Sequence, residues 1–376
     1  MKSILFDVDG VFLSEARCFD VSALTVYELL MSEDYLGLDP TVKFESLSDE
    51  EIQAIRSRVF KDDQILNRLK SLGLNSNWDM VFIITALHLV RILQPLPHSQ
   101  WQDLLTEEKI TPEMLQSVGE VASSSHIDFE MPLRFLQHVS AGKINVYQNL
   151  IHYTSEQLNV DMSSLFELKG PLWQLAQSIY QEWYLGYELF AEVEHQTPRT
   201  TFKQGYIYHE TVLKPVDELK QLLEDLSGAH YQLAVVTGRP RTETIVPFET
   251  LGLKRFFDDA HIVTASEVLN AEAKYPELKP LGKPNPFSYL ATLDGNQIDQ
   301  YHHYATDQSN RVNKDEVFIV GDSLADLLSA KTIGATFIGP LTGLKGADAK
   351  EELEAHGADY ICLLYTSDAA DERSSV

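Results

Sequence analysis

Cysteine is scarce in this sequence, and its scarcity excludes two common kinds of site. The 376 residues contain two cysteines, Cys18 and Cys362, which lie far apart in the chain. They cannot build a disulfide framework, and they lack the spacing of zinc ligands. Such sparing use of cysteine is typical of a reducing compartment, so we expect a cytoplasmic protein.

Basic residues are also few. Lysine and arginine number 30 against 56 aspartates and glutamates, which gives a formal net charge of −26 at pH 7. A surface this acidic repels nucleic acids and anionic membranes, so we expect neither as a partner. A small anionic substrate would be repelled as well, unless local basic groups or a metal ion receive it.

Long apolar runs are missing. The longest, residues 80–93, contains His88 and Arg91 and is too short to span a bilayer. Asp7 lies where a signal peptide would be apolar, so we expect no secretory signal. The composition is nevertheless 44% apolar, which is enough to bury a large core.

Apolar β-rich segments occur at the N-terminus and then only in the second half of the chain. They are residues 2–7, 231–237, 261–263, 317–322, 335–339 and 358–362. Helical patterns lie between the later segments, at residues 216–226, 241–251 and 324–333. This alternation predicts an α/β fold, in which a Rossmann-like parallel sheet is covered by helices on both faces.

Helical patterns alone fill the long interval after the first β segment. Ser48 and Glu51 form a capping box, Asn77 precedes an apolar helix that it could cap, and residues 171–190 have the periodicity of one helix. No convincing strand pattern interrupts them. The interval therefore predicts an all-helical cap domain inserted into the sheet domain.

These patterns define the predicted domains. The Rossmann-like core takes residues 1–14 and 206–363, and the helical cap takes residues 15–205. Residues 364–376 are small, polar and aperiodic, which predicts a disordered or non-native tail. Within the domains, polar residues at 123–125 and 294–314 predict loops.

Two pairs of acidic residues follow predicted strands. Asp7 and Asp9 stand on a turn opened by Gly10, and Asp322 and Asp326 follow the most apolar strand. An acidic turn and a helix cap are the structural alternatives. Because parallel strands end at one edge of a sheet, we expect the carboxylates to share a crevice. Two such charges about 4 Å apart repel by roughly 4 kcal/mol at an effective dielectric near 20, so protons or a cation must offset them.

Groups that could bind an anion complete the pattern. Thr237, Gly238 and Arg239 follow another predicted strand and offer a hydroxyl, an amide and a guanidinium at the start of a helix. Lys283 emerges from a loop stiffened by prolines. Taken singly, Thr237 could be a helix cap, Arg239 could face solvent and Lys283 could be a surface lysine. As a set they are candidates for substrate binding.

The order of these residues resembles the four motifs of the haloacid dehalogenase superfamily of hydrolases. The matching segments are Asp7-Val-Asp-Gly-Val11, Thr237, Lys283 and Gly321-Asp-Ser-Leu-Ala-Asp326. The resemblance covers about residues 1–14 and 206–362. A helical insert between the first two motifs is similar to the C1 caps of the family's phosphatases. This insert is larger than usual, so the substrate chemistry of those caps is not carried over.

The resemblance implies a phosphatase, that is, a phosphoric monoester hydrolase acting on a small phosphorylated metabolite. In such an enzyme Asp7 attacks phosphorus and forms an aspartyl-phosphate. Asp9 protonates the leaving oxygen and later activates water. Thr237 with nearby amides holds the phosphoryl oxygens, and Lys283 neutralises the developing charge.

The resemblance also implies a Mg²⁺ cofactor. Asp7 and Asp322 would supply carboxylate ligands, and Asp9 would supply its backbone carbonyl oxygen. Asp326 is a further candidate ligand. An all-oxygen site with few protein ligands suits Mg²⁺, which keeps several waters.

Other functions remain open from the sequence. A phosphomutase or another phosphotransferase would use the same motifs, and a non-catalytic regulatory protein could keep the same core. The dehalogenases of the superfamily lack a carboxylate at the position of Asp9, so dehalogenation is disfavoured. An insert of this size could also pair two copies of the chain in a homodimer.

Overall fold

The computed structural model describes residues 2–74, 76–122, 127–160 and 164–362. Its contacts divide the chain into a core unit, Met1–Glu15 with Ile207–Val376, and a helical unit, Ala16–Tyr206. The loop predicted at 123–125 and the tail predicted at 364–376 lie outside the described residues.

The described part of the helical unit contains α-helices and short 3₁₀ turns and no strand. The all-helical insert predicted from the sequence is therefore confirmed. Its α-helices are α1 (Ala16–Met31), α2 (Asp49–Phe60), α3 (Gln64–Ser71), α4 (Asn77–Leu93), α5 (Asp103–Thr106), α6 (Pro112–Ala122), α7 (Met131–Gln137), α8 (Lys143–Leu158), α9 (Pro171–Leu185) and α10 (Tyr187–Glu194).

Local signals explain where several of these helices begin and end. The capping box of Ser48 and Glu51 is confirmed at the start of α2. The cap predicted at Asn77 is wrong: the hydroxyl of Ser76 accepts the N–H of Asp79, and Asn77 is already helical. The single helix predicted over residues 171–190 is also wrong, because Gly186 with φ of 81° separates α9 from α10.

The helical unit has its own core. In α4 every side chain from Asp79 to Leu93 except Arg91 is buried. A buried ion cluster lies on α1 and α9: Lys203 Nζ is 2.9 Å from Glu28 Oε1 and 2.6 Å from Glu182 Oε2. The side chain of Lys203 is 0% exposed, so both carboxylates are needed close to it to make its burial tolerable.

The core unit is built on one parallel sheet. Its strands are β1 (Ser3–Phe6), β2 (Gln232–Val236), β3 (Ile262–Val263), β4 (Val317–Val320), β5 (Thr336–Pro340) and β6 (Tyr360–Cys362). The order across the sheet is β3-β2-β1-β4-β5-β6, with every neighbouring pair parallel. The predicted α/β class and Rossmann-like core are confirmed.

Helices cover both faces of this sheet. They are α11 (Val216–Gly228), α12 (Arg241–Thr250), α13 (Ala265–Lys274), α14 (Phe287–Leu293), α15 (Tyr301–Thr306), α16 (Leu324–Ile333) and α17 (Ala349–Ala355). Alternate strand residues enter two separate apolar clusters: Leu5 of β1 belongs to one, whereas Ile4 and Phe6 belong to the other. Burial on both faces explains why the strands read as continuous apolar runs.

One predicted loop contains a helix. The stretch predicted as a polar loop at 294–314 includes α15, and Tyr301 and Tyr304 of that helix are buried in the core. The polar residues around these two tyrosines obscured the apolar periodicity that would have indicated a helix. No helix among the described residues is long and apolar enough to cross a membrane.

Candidate active site

The central strands place the predicted residues at one edge of the sheet. Phe6, the last residue of β1, pairs in register with Val235 of β2 and Val320 of β4. Asp7 comes directly after Phe6, and its N–H donates to the carbonyl oxygen of Val320 over 2.9 Å. Asp322 comes two residues after Val320. The carboxyl ends of three adjacent strands therefore carry Asp7, Thr237 and Asp322, as expected from the sequence.

Lys283 binds the nucleophile candidate. Its Nζ lies 3.0 Å from Asp7 Oδ1 and 2.8 Å from Asp326 Oδ1, and it donates to the carbonyl oxygen of Val236 over 3.0 Å. The loop before α14 thus delivers a cation to two carboxylates and to the end of β2. Because Lys283 uses its ammonium for these three acceptors, its position is fixed.

Asp326 is held by more groups than any other acid of the site. Its Oδ1 also accepts the hydroxyl of Tyr289 over 2.6 Å, and its Oδ2 accepts the hydroxyl of Ser323 over 2.6 Å. Ser323 is in turn the N-cap of α16, in a capping box that Asp326 completes. The helix-cap alternative for this motif is therefore real, and it coexists with the contact to Lys283.

Asp7, Asp322 and Asp326 form an acidic cluster. One carboxylate oxygen from each lies within 4.8 Å of the others. Two glycines make room for Asp322: a Cβ built on Gly10 would lie 2.3 Å from its Cγ, and one on Gly343 would lie 1.7 Å from its Oδ2. A larger residue at either glycine would displace the Asp322 carboxylate.

The cluster has an excess of negative charge. Burial raises the pKa of Asp7 to about 7, although Lys283 opposes the shift. Burial and the charges of Asp7 and Asp326 raise the pKa of Asp322 well above its usual value. Burial would also raise the pKa of Asp326, but Lys283 lowers it below its usual value. Lys283 thus contacts two of the three carboxylates, Asp7 and Asp326, and a divalent cation would complete the charge balance of the cluster.

Asp9 is bound by a different cation. Arg239 Nη2 lies 2.6 Å from Asp9 Oδ1, and Arg239 Nε lies 3.1 Å from Oδ1 and 3.0 Å from Oδ2. The same guanidinium reaches Glu210 Oε1 through Nη1 over 2.5 Å. The structure therefore places Arg239, a predicted substrate ligand, on two carboxylates of the chain. Its role in substrate binding stays a prediction.

Thr237 and Gly238 stand at the end of β2. Thr237 is buried, and its Oγ1 accepts the N–H of Arg239 over 3.1 Å. Gly238 is exposed, and a Cβ built on it would meet no atom within 4 Å. The turn therefore presents an open backbone beside the carbonyl of Val236 that Lys283 binds.

Comparisons with known proteins identify relatives of this chain. A family model described as haloacid dehalogenase-like hydrolase matches residues 180–339. The crystal structure of a structural genomics target is similar, with 57% identity, a TM-score of 0.89, and coverage of 96% of this chain and 95% of that one. The chain belongs to the haloacid dehalogenase superfamily.

Other solved structures are less similar to this chain. A phosphatase from Thermococcus thioreducens is 14% identical with a TM-score of 0.47 and coverage of 94% of this chain and 99% of that one. A haloacid dehalogenase (HAD) family hydrolase from Deinococcus radiodurans R1, with bound phosphate and sodium, is 12% identical with a TM-score of 0.40, covering 99% and 96%. A search of curated proteins found no match.

The matched range contains three of the superfamily motifs and lacks the first. Thr237, Lys283 and Asp322 fall within residues 180–339, whereas Asp7 and Asp9 lie far outside. The long insert separates them in sequence. The contact between Lys283 and Asp7 rejoins the first motif to the others.

Several residues of this site were not predicted from the sequence. Tyr289 orients Asp326, Glu210 holds Arg239, and Gly343 makes room for Asp322. The hydroxyl of Thr342 also donates to the carbonyl oxygen of Gly10, which ties the loop after β5 to the first motif. The only signal in the sequence was position: Thr342 comes shortly after the predicted strand at residues 335–339, and Tyr289 follows the loop that carries Lys283.

Proposed function

We propose that this member of the haloacid dehalogenase superfamily is a phosphatase that hydrolyses small phosphorylated metabolites with the help of a divalent cation. The observation that carries the proposal is the pairing of two acids on one turn. Asp7 is buried against Lys283, and Asp9 is half-buried on the same turn. One buried carboxylate with a fixed cation beside it suits a nucleophile, and a more accessible one suits proton transfer.

The acidic cluster fits a divalent ion. Asp7 and Asp322 offer hard carboxylate oxygens close together, and Gly10 and Gly343 leave space at Asp322. We assign Asp326 to fixing Lys283 rather than to the ion, because Tyr289, Ser323 and Lys283 already occupy its oxygens. Mg²⁺, when bound, would offset the charge of the carboxylates and of a phosphoryl group.

The chain's own residues supply the steps of the reaction. An oxygen of Asp7 attacks phosphorus, and the bond to the leaving oxygen breaks with its electron pair on that oxygen. Asp9 gives that oxygen a proton, so an alcohol leaves and Asp7 carries the phosphoryl group. Asp9 then takes a proton from a water that attacks phosphorus, which releases phosphate and restores the Asp7 carboxylate.

Lys283 and the turn after β2 hold the phosphoryl group in this scheme. The ammonium of Lys283 lies against the carboxylate of Asp7, which would carry the phosphoryl group. The hydroxyl of Thr237 and the amide of Gly238 stand at the end of the neighbouring strand. Fixed donors around a transferring phosphoryl group stabilise its charge better than mobile water does.

A screen of phosphorylated metabolites tests the proposal. The full chain should release phosphate from at least one of them with Mg²⁺ present and from none with a chelator. The variant Asp7→Asn should be inactive. The matched control is Asp359→Asn, because Asp359 pairs with Lys314 before β6, at the opposite end of the strands. Equal activity of both variants would contradict the proposal.

The same screen distinguishes a phosphatase from the alternative functions. Turnover that requires a bisphosphate activator would favour a phosphomutase. Complete inactivity toward phosphorylated metabolites, together with a stable protein complex, would favour a regulatory protein on the same fold.

A further inference from the structure

Arg239 and Glu210 form a buried pair beside Asp9, which we call the arginine clamp. The side chains of Arg239 and Glu210 are 6% and 1% exposed, whereas that of Asp9 is 32% exposed. Arg239 thus reaches out of the protein interior with its guanidinium and binds a carboxylate that solvent can still approach.

Backbone pairing fixes the position of Glu210. The N–H of Ser14 donates to the carbonyl oxygen of Thr211 over 2.8 Å, and the N–H of Leu213 donates to that of Phe12 over 3.0 Å. The chain just after Glu210 is therefore held against the chain just after the first motif. Glu210 accepts Arg239 from this rigid segment, so both ends of the guanidinium are anchored.

The two oxygens of Asp9 are bound unequally. Oδ1 accepts hydrogen bonds from Nη2 and from Nε of Arg239. Oδ2 accepts a hydrogen bond from Nε alone, and that N–H is shared with Oδ1. An N–H that is shared between two acceptors makes a weaker hydrogen bond to each. Oδ2 is therefore the oxygen that gives up its contact more easily.

We propose that the arginine clamp positions Asp9 for proton transfer, with Oδ1 as the anchored oxygen and Oδ2 as the oxygen that carries the proton. The inference rests on the proposed phosphatase function, because it needs a leaving group to receive that proton. Arg239 is then a positioning residue rather than a ligand of the phosphoryl group, and Glu210 acts through Arg239.

The effect of a clamp mutation on the rate of hydrolysis should depend on the leaving group of the substrate. When the P–O bond breaks, an alkoxide leaving group needs the proton of Asp9, whereas a nitrophenolate is stable without it. p-Nitrophenyl phosphate and benzyl phosphate are similar in size and differ in this respect. Misplacing Asp9 should slow benzyl phosphate far more than p-nitrophenyl phosphate.

The experiment compares kcat/KM for these two substrates in the full chain and in Glu210→Gln. We expect the value for benzyl phosphate to fall by about tenfold or more and that for p-nitrophenyl phosphate by less than about threefold. Arg239→Lys keeps the positive charge and loses the forked geometry, so it should show the same selective loss. Asp359→Asn should leave the ratio of the two substrates unchanged.

Three results would overturn the inference. The first is an equal loss for both substrates in Glu210→Gln and Arg239→Lys. The second is full activity of Arg239→Lys toward benzyl phosphate, because a simple charge would then suffice. The third is a wild-type enzyme that hydrolyses p-nitrophenyl phosphate and not benzyl phosphate. If wild type hydrolyses no phosphate monoester at all, the proposed function itself fails, and the clamp has no proton transfer to serve.

Discussion

Lys283 Nζ lies 3.0 Å from Asp7 Oδ1, although the whole helical unit and half of the core unit separate the two residues in sequence. A lysine so placed lowers the cost of burying the carboxylate of Asp7, the proposed nucleophile. This contact joins the first superfamily motif to the rest of the site, and each prediction about catalysis depends on it.

Repulsion within the acidic cluster should lower the stability of the protein when no metal ion is bound. Asp322→Asn removes one of three neighbouring carboxylates. Without metal, the unfolding free energy of the variant should therefore be about 1 kcal/mol larger than that of wild type, so the variant should be more stable. Wild type should be stabilised by Mg²⁺, and the variant should not. Thermal unfolding with and without Mg²⁺ and calorimetric titration of Mg²⁺ measure both effects.

The control for this prediction is Asp359→Asn, which removes a carboxylate paired with Lys314 at the other end of the strands. It should keep the stabilisation by Mg²⁺. Unchanged Mg²⁺ binding by Asp322→Asn would show that the ion binds elsewhere.

Tyr289 should matter for catalysis through Asp326. Its hydroxyl donates to Asp326 Oδ1 over 2.6 Å, and its ring centroid lies 5.4 Å from Lys283 Nζ. Tyr289→Phe keeps the ring and leaves Oδ1 with one donor fewer, so Lys283 can shift. We expect kcat to fall by about tenfold, with about 1.5–3 kcal/mol of stability lost.

The matched control is Tyr301→Phe. Tyr301 is also buried in the core unit, but its hydroxyl donates to Asn296 over 2.8 Å, away from the acidic cluster. Its loss should lower stability and leave kcat unchanged. Equal kcat values for the two variants would argue against a role for Tyr289 in positioning Asp326.

Lys203 should be essential for the helical unit. Its ammonium is fully buried between Glu28 and Glu182, so Lys203→Met leaves two carboxylates without their cation. We expect a loss of about 3–5 kcal/mol in unfolding free energy, measured by urea denaturation. Lys143→Met is the control, because Lys143 pairs with Asp79 from a half-exposed position and should cost under about 1 kcal/mol. Similar losses for both would contradict this account.

His88 should make the helical unit sensitive to acid. Burial lowers the pKa of His88 to about 4, and its ring packs against Phe129. Because the unfolded chain binds a proton near pH 6.5 and the folded chain does not, this contribution to stability is lost as pH falls from about 6.5 to 4. Between pH 7 and 5 the loss is about 2 kcal/mol.

His88→Leu should remove that part of the pH dependence, as measured by urea denaturation at pH 7 and pH 5. His152→Leu is the matched control, because it removes a histidine that is exposed on α8. A variant at His88 that loses as much stability on acidification as wild type would contradict the prediction.

The parts of the site that follow strands could be predicted from the sequence. Asp7, Thr237 and Asp322 each stand at the end of a β-rich segment, and the geometry of a parallel sheet brings such ends together. Lys283 could be included only through the resemblance to the superfamily, since a lysine in a proline-rich turn is ordinary by itself. The sheet and its two covered faces followed from continuous apolar runs.

The remaining features depend on distances that no local pattern encodes. Glu210 and Gly343 belong to loops without any signal, and they matter only because the folded chain brings them to Arg239 and Asp322. The cap of α4 is Ser76 rather than the predicted Asn77. Both residue types can cap a helix, and only the backbone angles decide between them.

The proposed mechanism requires that Asp7 carry a phosphoryl group during turnover, and this can be measured directly. Wild type and Asp7→Asn are mixed with Mg²⁺ and p-nitrophenyl phosphate, quenched in acid, digested and analysed by mass spectrometry. We expect the peptide that contains residue 7 to gain the mass of one phosphoryl group in wild type and to gain none in Asp7→Asn, which is inactive. Steady turnover by Asp7→Asn, or a phosphoryl group found on another residue in wild type, would contradict this mechanism.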